Sequence, residues 1–191
     1  QLDRVVELAR REIRLADHGE RRVRPAGEAA LHRGEGHWLV SGDEATLELG
    51  GETLVLCYTD AHFPGDAWVW LPKQAILFSG DLVYVDRLLG VMPTSSVRKG
   101  QKAFLALERL VPRRIVPGHG RVCDLAQARR ETGDYYDLLV DQVGTAAKEM
   151  EPMDATLDRF AKLPQFEHLE NYDSLHRINM NRAFLEFEAA P

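Results

Sequence analysis

Three short segments of the chain place a His or an Asp beside glycine where an apolar stretch ends. The first, Thr59-Asp60-Ala61-His62-Phe63-Pro64-Gly65-Asp66, follows the apolar run 53–58. The second is Leu77-Phe78-Ser79-Gly80-Asp81, and the third is Ile115-Val116-Pro117-Gly118-His119-Gly120. Strand ends meet at one edge of a sheet, so side chains far apart in sequence can converge there. Glycine beside each polar residue permits tight turns and left-handed backbone angles. Imidazole nitrogens and a carboxylate oxygen are suitable ligands for Zn²⁺ and related borderline ions. A single histidine in a loop reads as structural. His62, Asp81 and His119 taken together read as a metal-ligand set.

In order and separation these segments resemble three successive motifs of the metallo-β-lactamase superfamily, over about residues 45 to 125. The motifs are His-x-Pro-Gly-Asp, a Gly-Asp that closes a strand, and Pro-Gly-His-Gly. Phe63 and Ser79 stand where Thr is common, and neither supplies a ligand. The resemblance implies that His62 and His119 each bind one metal ion and that Asp81 bridges two. Zinc, as one or two ions in the intact protein, is the implied cofactor, and Asp81 is the implied catalytic carboxylate. Asp66 would support the loop. Segments 80–87 and 171–177 are similar to quinoprotein-associated zinc metallohydrolases.

The implied fold is α/β, a metallo-β-lactamase-like αββα sandwich with a helical C-terminal extension. The superfamily's first metal motif, His-x-His-x-Asp-His, is absent. Before His62 the chain has only His18, His32 and His37. The resemblance therefore implies that an N-terminal βαβ portion lies upstream of Gln1. The implied activity is hydrolysis of a small-molecule substrate, with metal-bound hydroxide attacking a carbonyl or phosphoryl centre. A glyoxalase-II-like thioesterase is the enzymatic alternative. A non-catalytic fragment or scaffold, lacking the first metal motif, is the alternative from another class.

Four further residues are candidates for the pocket or for support of the ligands. Asp60 reads first as a turn former and second as a partner of the site. Tyr84 can reach the site mouth. Arg87, beside Asp86, reads equally as a pocket residue or half of a surface pair. Asp66 completes the set.

These residues need elements to hold them. Apolar spacing predicts an amphipathic helix over 2–17, then an irregular stretch over 18–37. Strands are predicted at 46–49, 53–58, 67–71, 75–79 and 115–116, as two hairpins and a short fifth strand. Helices are predicted at 101–111, 124–149, about 154–162 and about 172–188, broken at Pro152 and Pro164. This division suggests a partial metallo-β-lactamase-like domain over 1–125 and a helical extension over 126–191 packed on it. Trp68, Trp70 and Phe78 are expected in the core, Cys57 as a buried thiol, and His176 on a helix face.

The chain has 191 residues, 45% of them hydrophobic and 28% charged, enough to bury a core. A net charge of −6 with interspersed signs argues against nucleic acid. No apolar run reaches the roughly 20 residues of a membrane helix. A cytoplasmic location is expected, or a periplasmic one if a signal was removed. Loss of a partner sheet would expose an apolar face, which a homodimer could cover.

Overall fold

A computed structural model describes residues 30–33, 38–41 and 44–189. The helix expected over 2–17 lies outside these residues, as does His18, and as do parts of the stretch 18–37. That stretch is not irregular throughout. Ala30–Arg33 forms β1, which pairs antiparallel with β2, Trp38–Ser41, and contains His32. His37 lies outside the described residues.

The main sheet has five strands in the order β3-β4-β5-β6-β7. These are β3 (Glu44–Leu49), β4 (Glu52–Tyr58), β5 (Ala67–Leu71), β6 (Ile76–Tyr84) and β7 (Arg114–His119). The first three pairings are antiparallel and β6–β7 is parallel. Consequently β4, β6 and β7 run the same way, and their C-terminal ends share one edge. Pro117 is tolerated in β7 because that strand is the edge of the sheet among the described residues.

Side chains alternate across the sheet with the period of two that a strand imposes. Trp68, Trp70, Leu77 and Ile115 face the helices and join the larger core. Leu54, Val69, Leu71, Ile76 and Phe78 form a second cluster on the opposite face. The aromatic set anticipated as one group is therefore split between the two faces. The second cluster is 1–8% exposed.

Helix α1 (Val97–Arg109) fills the crossover between β6 and β7. It begins a turn earlier than apolar spacing alone indicates, because Ser96 caps it by accepting from Lys99 N at 3.2 Å. Helix α2 covers 125–148 and includes two π-helical stretches, Arg129–Gly133 and Leu138–Val143. Helices α3 (Met153–Arg159) and α4 (Tyr172–Glu188) follow. Phe104 of α1, Tyr135 and Leu139 of α2 and Phe184 and Phe187 of α4 share the larger core with the sheet. Both cysteines are free. Cys123 is the buried one, whereas Cys57 is only half-buried and faces Glu44.

A buried polar chain ties α4 to the segment after β6. Asn179 donates to the Leu89 carbonyl at 2.6 Å and accepts from Val91 N at 2.9 Å. It also donates to the Tyr135 hydroxyl at 3.3 Å, which lies 3.0 Å from His176 Nδ1. His176 Nε2 lies 2.8 Å from the Phe160 carbonyl, so Nε2 carries the proton and Nδ1 accepts. Burial lowers the His176 pKa below its ordinary 6.5. The folded chain thus keeps His176 neutral where the unfolded chain would bind a proton. Stability from this residue is complete above about pH 6.5 and declines as pH falls toward the folded value. We expect melting temperature to drop on acidification below that point, and His176→Gln to flatten the drop. Parallel melts of both proteins across pH 5–8 check this; equal slopes would remove His176 as a source.

Candidate metal centre

The three candidate ligands stand at the shared C-terminal edge, but each arrives differently. His119 is the last residue of β7. Asp81 does not end its strand as expected; β6 continues through it to Tyr84. Between the pairs Gly80–Pro117 and Tyr84–His119, β6 advances four residues while β7 advances two. This bulge surrounds Asp81, and bulges re-aim side chains out of the ladder. Gly80 enters it with φ of +52°, a left-handed angle. His62 has no strand at all. It lies in the loop four residues past Tyr58, the end of β4.

Asp81 is the meeting point. Its Oδ1 lies 3.4 Å from His119 Nε2 and its Oδ2 lies 3.9 Å from His62 Nε2. One carboxylate therefore offers a separate oxygen to each imidazole. Gly118 makes this approach possible: a Cβ there would stand 2.2 Å from Asp81 Oδ1 and 2.7 Å from the Gly80 carbonyl carbon. The histidines are not equally accessible. The His62 side chain is 11% exposed and that of His119 39%.

Tyr84 sits between the two imidazoles. Its ring stacks on His119 with centroids 4.6 Å apart, and its hydroxyl is 3.5 Å from His62 Nε2. Burial raises the hydroxyl's pKa far above the ordinary tyrosine value, and the charge of Asp81 acts in the same direction. It is a neutral donor at any physiological pH. A residue that sequence reasoning did not find holds it there. Thr132 Oγ1, fully buried in α2, accepts from Tyr84 N at 3.0 Å and donates to the Tyr84 carbonyl. One hydroxyl thus satisfies both backbone groups of Tyr84. Glu131 beside it accepts from Asp86 N at 2.6 Å. Both lie in the first π-helical stretch, and such stretches carry no local sequence signal.

The His62 loop is closed on itself and pinned from α1. Asp66 Oδ2 accepts from Phe63 N at 2.6 Å, and Thr59 N donates to the Asp66 carbonyl at 2.8 Å. Burial raises the Asp66 pKa, opposed by the Phe63 amide and the nearby His62. Asp60, at φ of +51°, accepts from the Tyr58 hydroxyl and from Gly65 N. It also accepts from Lys99 Nζ at 2.6 Å. Burial would raise its pKa, but Lys99 and Tyr58 more than offset this and lower it. Asp60 is the turn former anticipated, and its bond to Lys99 ties the loop to α1.

Arg87 is not paired with Asp86. Asp86 takes Arg121 instead, at 2.7 and 2.9 Å, and Arg121 draws its pKa down to about 2. Arg87 Nε is buried without a hydrogen-bond partner among the described residues. Its charge is felt at the Tyr84 hydroxyl.

Among the described residues no three His, Cys, Asp or Glu side chains form a complete metal-binding group. Two ligands of one tetrahedral zinc ion stand roughly 3.3–3.5 Å apart. The Asp81–His119 separation meets that spacing, and the Asp81–His62 separation needs only a small closure. The donor set, two imidazoles and a carboxylate, fits zinc in chemistry. Substituting Gly118→Ala would force the new methyl into the Asp81 carboxylate. We expect it to cost about 1–3 kcal/mol, as overpacking does, read by denaturant unfolding. Wild-type stability in that variant would contradict the close approach.

The model of the metallo-beta-lactamase superfamily matches residues 6–119, more than half of the chain. Among solved structures, the stereoselective inverting sec-alkylsulfatase Pisa1 from Pseudomonas sp. is 15% identical with a TM-score of 0.61, covering 77% of this chain and 26% of its own. A metallo-beta-lactamase family protein from Thermus thermophilus is 17% identical with a TM-score of 0.49, covering 76% of this chain and 47% of its own. A metallo-beta-lactamase from Pontibacter korlensis is 25% identical with a TM-score of 0.45, covering 49% and 46%. The chain thus spans less than half the length of each of these structures. The alkylsulfatase likeness speaks for the fold alone. No curated protein matches the chain. From the matched residues it follows that the chain belongs to the metallo-beta-lactamase superfamily.

Proposed function

We propose that the chain contributes to a zinc-dependent hydrolase site in which His62, Asp81 and His119 are metal ligands. The observation that carries this reading is the single Asp81 carboxylate, one oxygen toward each histidine, at the common end of three parallel-running strands. Superfamily membership supports it, and a solved structure of similar fold bears the name of an alkylsulfatase, a hydrolase.

When bound, zinc lowers the pKa of water from 15.7 to about 7 and polarises the oxygen under attack. The chain's own residues do the rest. Asp81, placed between the histidines, holds the two halves of the site in register. Tyr84 presents a protonated hydroxyl beside His62, suited to donate a hydrogen bond to a developing oxyanion. Stacking of Tyr84 on His119 limits rotation of that imidazole. The substrate class is a carbonyl or phosphoryl compound.

Metal analysis of the purified chain tests the reading. Zinc should be retained after dialysis against zinc-free buffer, and His119→Ala should lower uptake by at least one equivalent. A chain that takes up no zinc, or a His119→Ala variant that binds as the wild type does, would defeat the assignment. Tyr84→Phe should keep zinc uptake and slow hydrolysis of chromogenic ester or phosphodiester substrates by roughly 10²–10³-fold, as loss of an oxyanion donor does.

A further inference from the structure

We propose that Glu186 of α4 is a positioning residue for His62, acting through the first turn of α1. The inference rests on the reading of His62 as a metal ligand. Asp81 and His119 are held by strands, whereas His62 sits in a loop and must be fixed by something else.

The fixing runs through residues 95–99. Ser95 Oγ donates to the His62 carbonyl at 2.7 Å and accepts from Met92 N at 2.8 Å. Ser96 N donates to the Ala61 carbonyl at 2.8 Å. Lys99 Nζ donates to Asp60 at 2.6 Å. Three consecutive loop residues, 60 to 62, are thus held by one turn of chain.

That turn is itself set by Glu186. Its Oε1 accepts from Ser96 Oγ at 2.6 Å and its Oε2 from Val97 N at 2.7 Å. Arg98 Nε adds a longer contact at 3.4 Å. The amides of a helix's first turn have no partners within the helix, and negative charge is favoured there. A serine hydroxyl has one proton to give. By taking it, Glu186 turns the Ser96 lone pairs toward Lys99 N, which completes the cap. Glu186 does not move freely, because Ala183, Phe184 and Phe187 of the same helix are buried in the core. The last helix therefore reaches the His62 backbone through two links, Glu186 to Ser96 and Val97, then Ser95 and Ser96 to Ala61 and His62.

Two readouts test this on the full chain. The first is zinc affinity by competition with a chromophoric chelator. The second is amide hydrogen exchange of segment 59–66 in metal-free protein. Glu186→Ala should weaken zinc about tenfold, the scale of losing a group that orients a ligand. It should also speed exchange of 59–66 by about tenfold, the factor that 1.4 kcal/mol represents. Glu186→Gln keeps one acceptor and should fall between, and it serves alone if the alanine variant does not fold. Ile76→Ala destabilises the chain from the opposite face of the sheet, away from α4 and Ser96, and should change neither readout. Wild-type zinc affinity and exchange in both Glu186 variants would overturn the proposal. So would Ile76→Ala matching Glu186→Ala in both. A wild-type chain that takes up no zinc would remove the ligand role of His62, while exchange in 59–66 would still decide whether Glu186 orders the loop.

Discussion

The carboxylate of Asp81 occupies the space where a side chain on residue 118 would begin, and the rest of the site follows from that packing. Parallel pairing brings β7 beside β6, but a regular ladder would fix the direction of Asp81 by simple alternation between the two faces. The bulge in β6 releases it, and Gly118 opens the volume it turns into. His119, the next residue, is then placed beside the carboxylate by its strand. Neither feature suffices alone. A bulge without Gly118 would drive Asp81 into a Cβ. Gly118 without the bulge would leave a gap beside a regular strand.

Buried backbone groups left unpaired at the end of β6 would be costly, on the order of 1–3 kcal/mol each. Helix α2 resolves this. Thr132 satisfies both backbone groups of Tyr84, and Glu131 satisfies Asp86 N. The widened π-helical turn carries these two neighbouring side chains against the strand end. The helices past residue 124 are thereby part of what shapes the site, as well as a cover for the apolar face of the sheet.

How much of this was readable beforehand follows from the range of the forces involved. Hydrophobic alternation is local, so β4, β5 and α4 were legible to within about a residue. The glycine-flanked motifs are local as well, so they single out His62, Asp81 and His119, and the structure places both histidines beside Asp81. The extent of β6 was not legible, because Gly80-Asp81 reads as a strand end and only pairing with β7 carries the strand past it. The start of α1 was missed for the same reason: Ser96 caps it, and Glu186, ninety residues on, sets the cap. Thr132 looks like an ordinary helical residue until the strand it serves is in place. Arg87 and Asp86 are neighbours in sequence, yet Asp86 at φ of +64° turns its carboxylate to Arg121. No rule of adjacency anticipates that.

Tyr84 shows how these constraints combine. Its backbone is gripped by α2, its ring rests on His119, and its hydroxyl faces His62. A side chain touching both histidines couples the strand that carries one to the loop that carries the other. The loop is in turn tied to α1 and α4, and the strand to α2. Strain entering from any of these helices would reach Asp81 from two sides at once. The geometry at Asp81 is therefore a property of the sheet edge and the helices jointly, and substitutions far from it in sequence should act on it in pairs rather than independently.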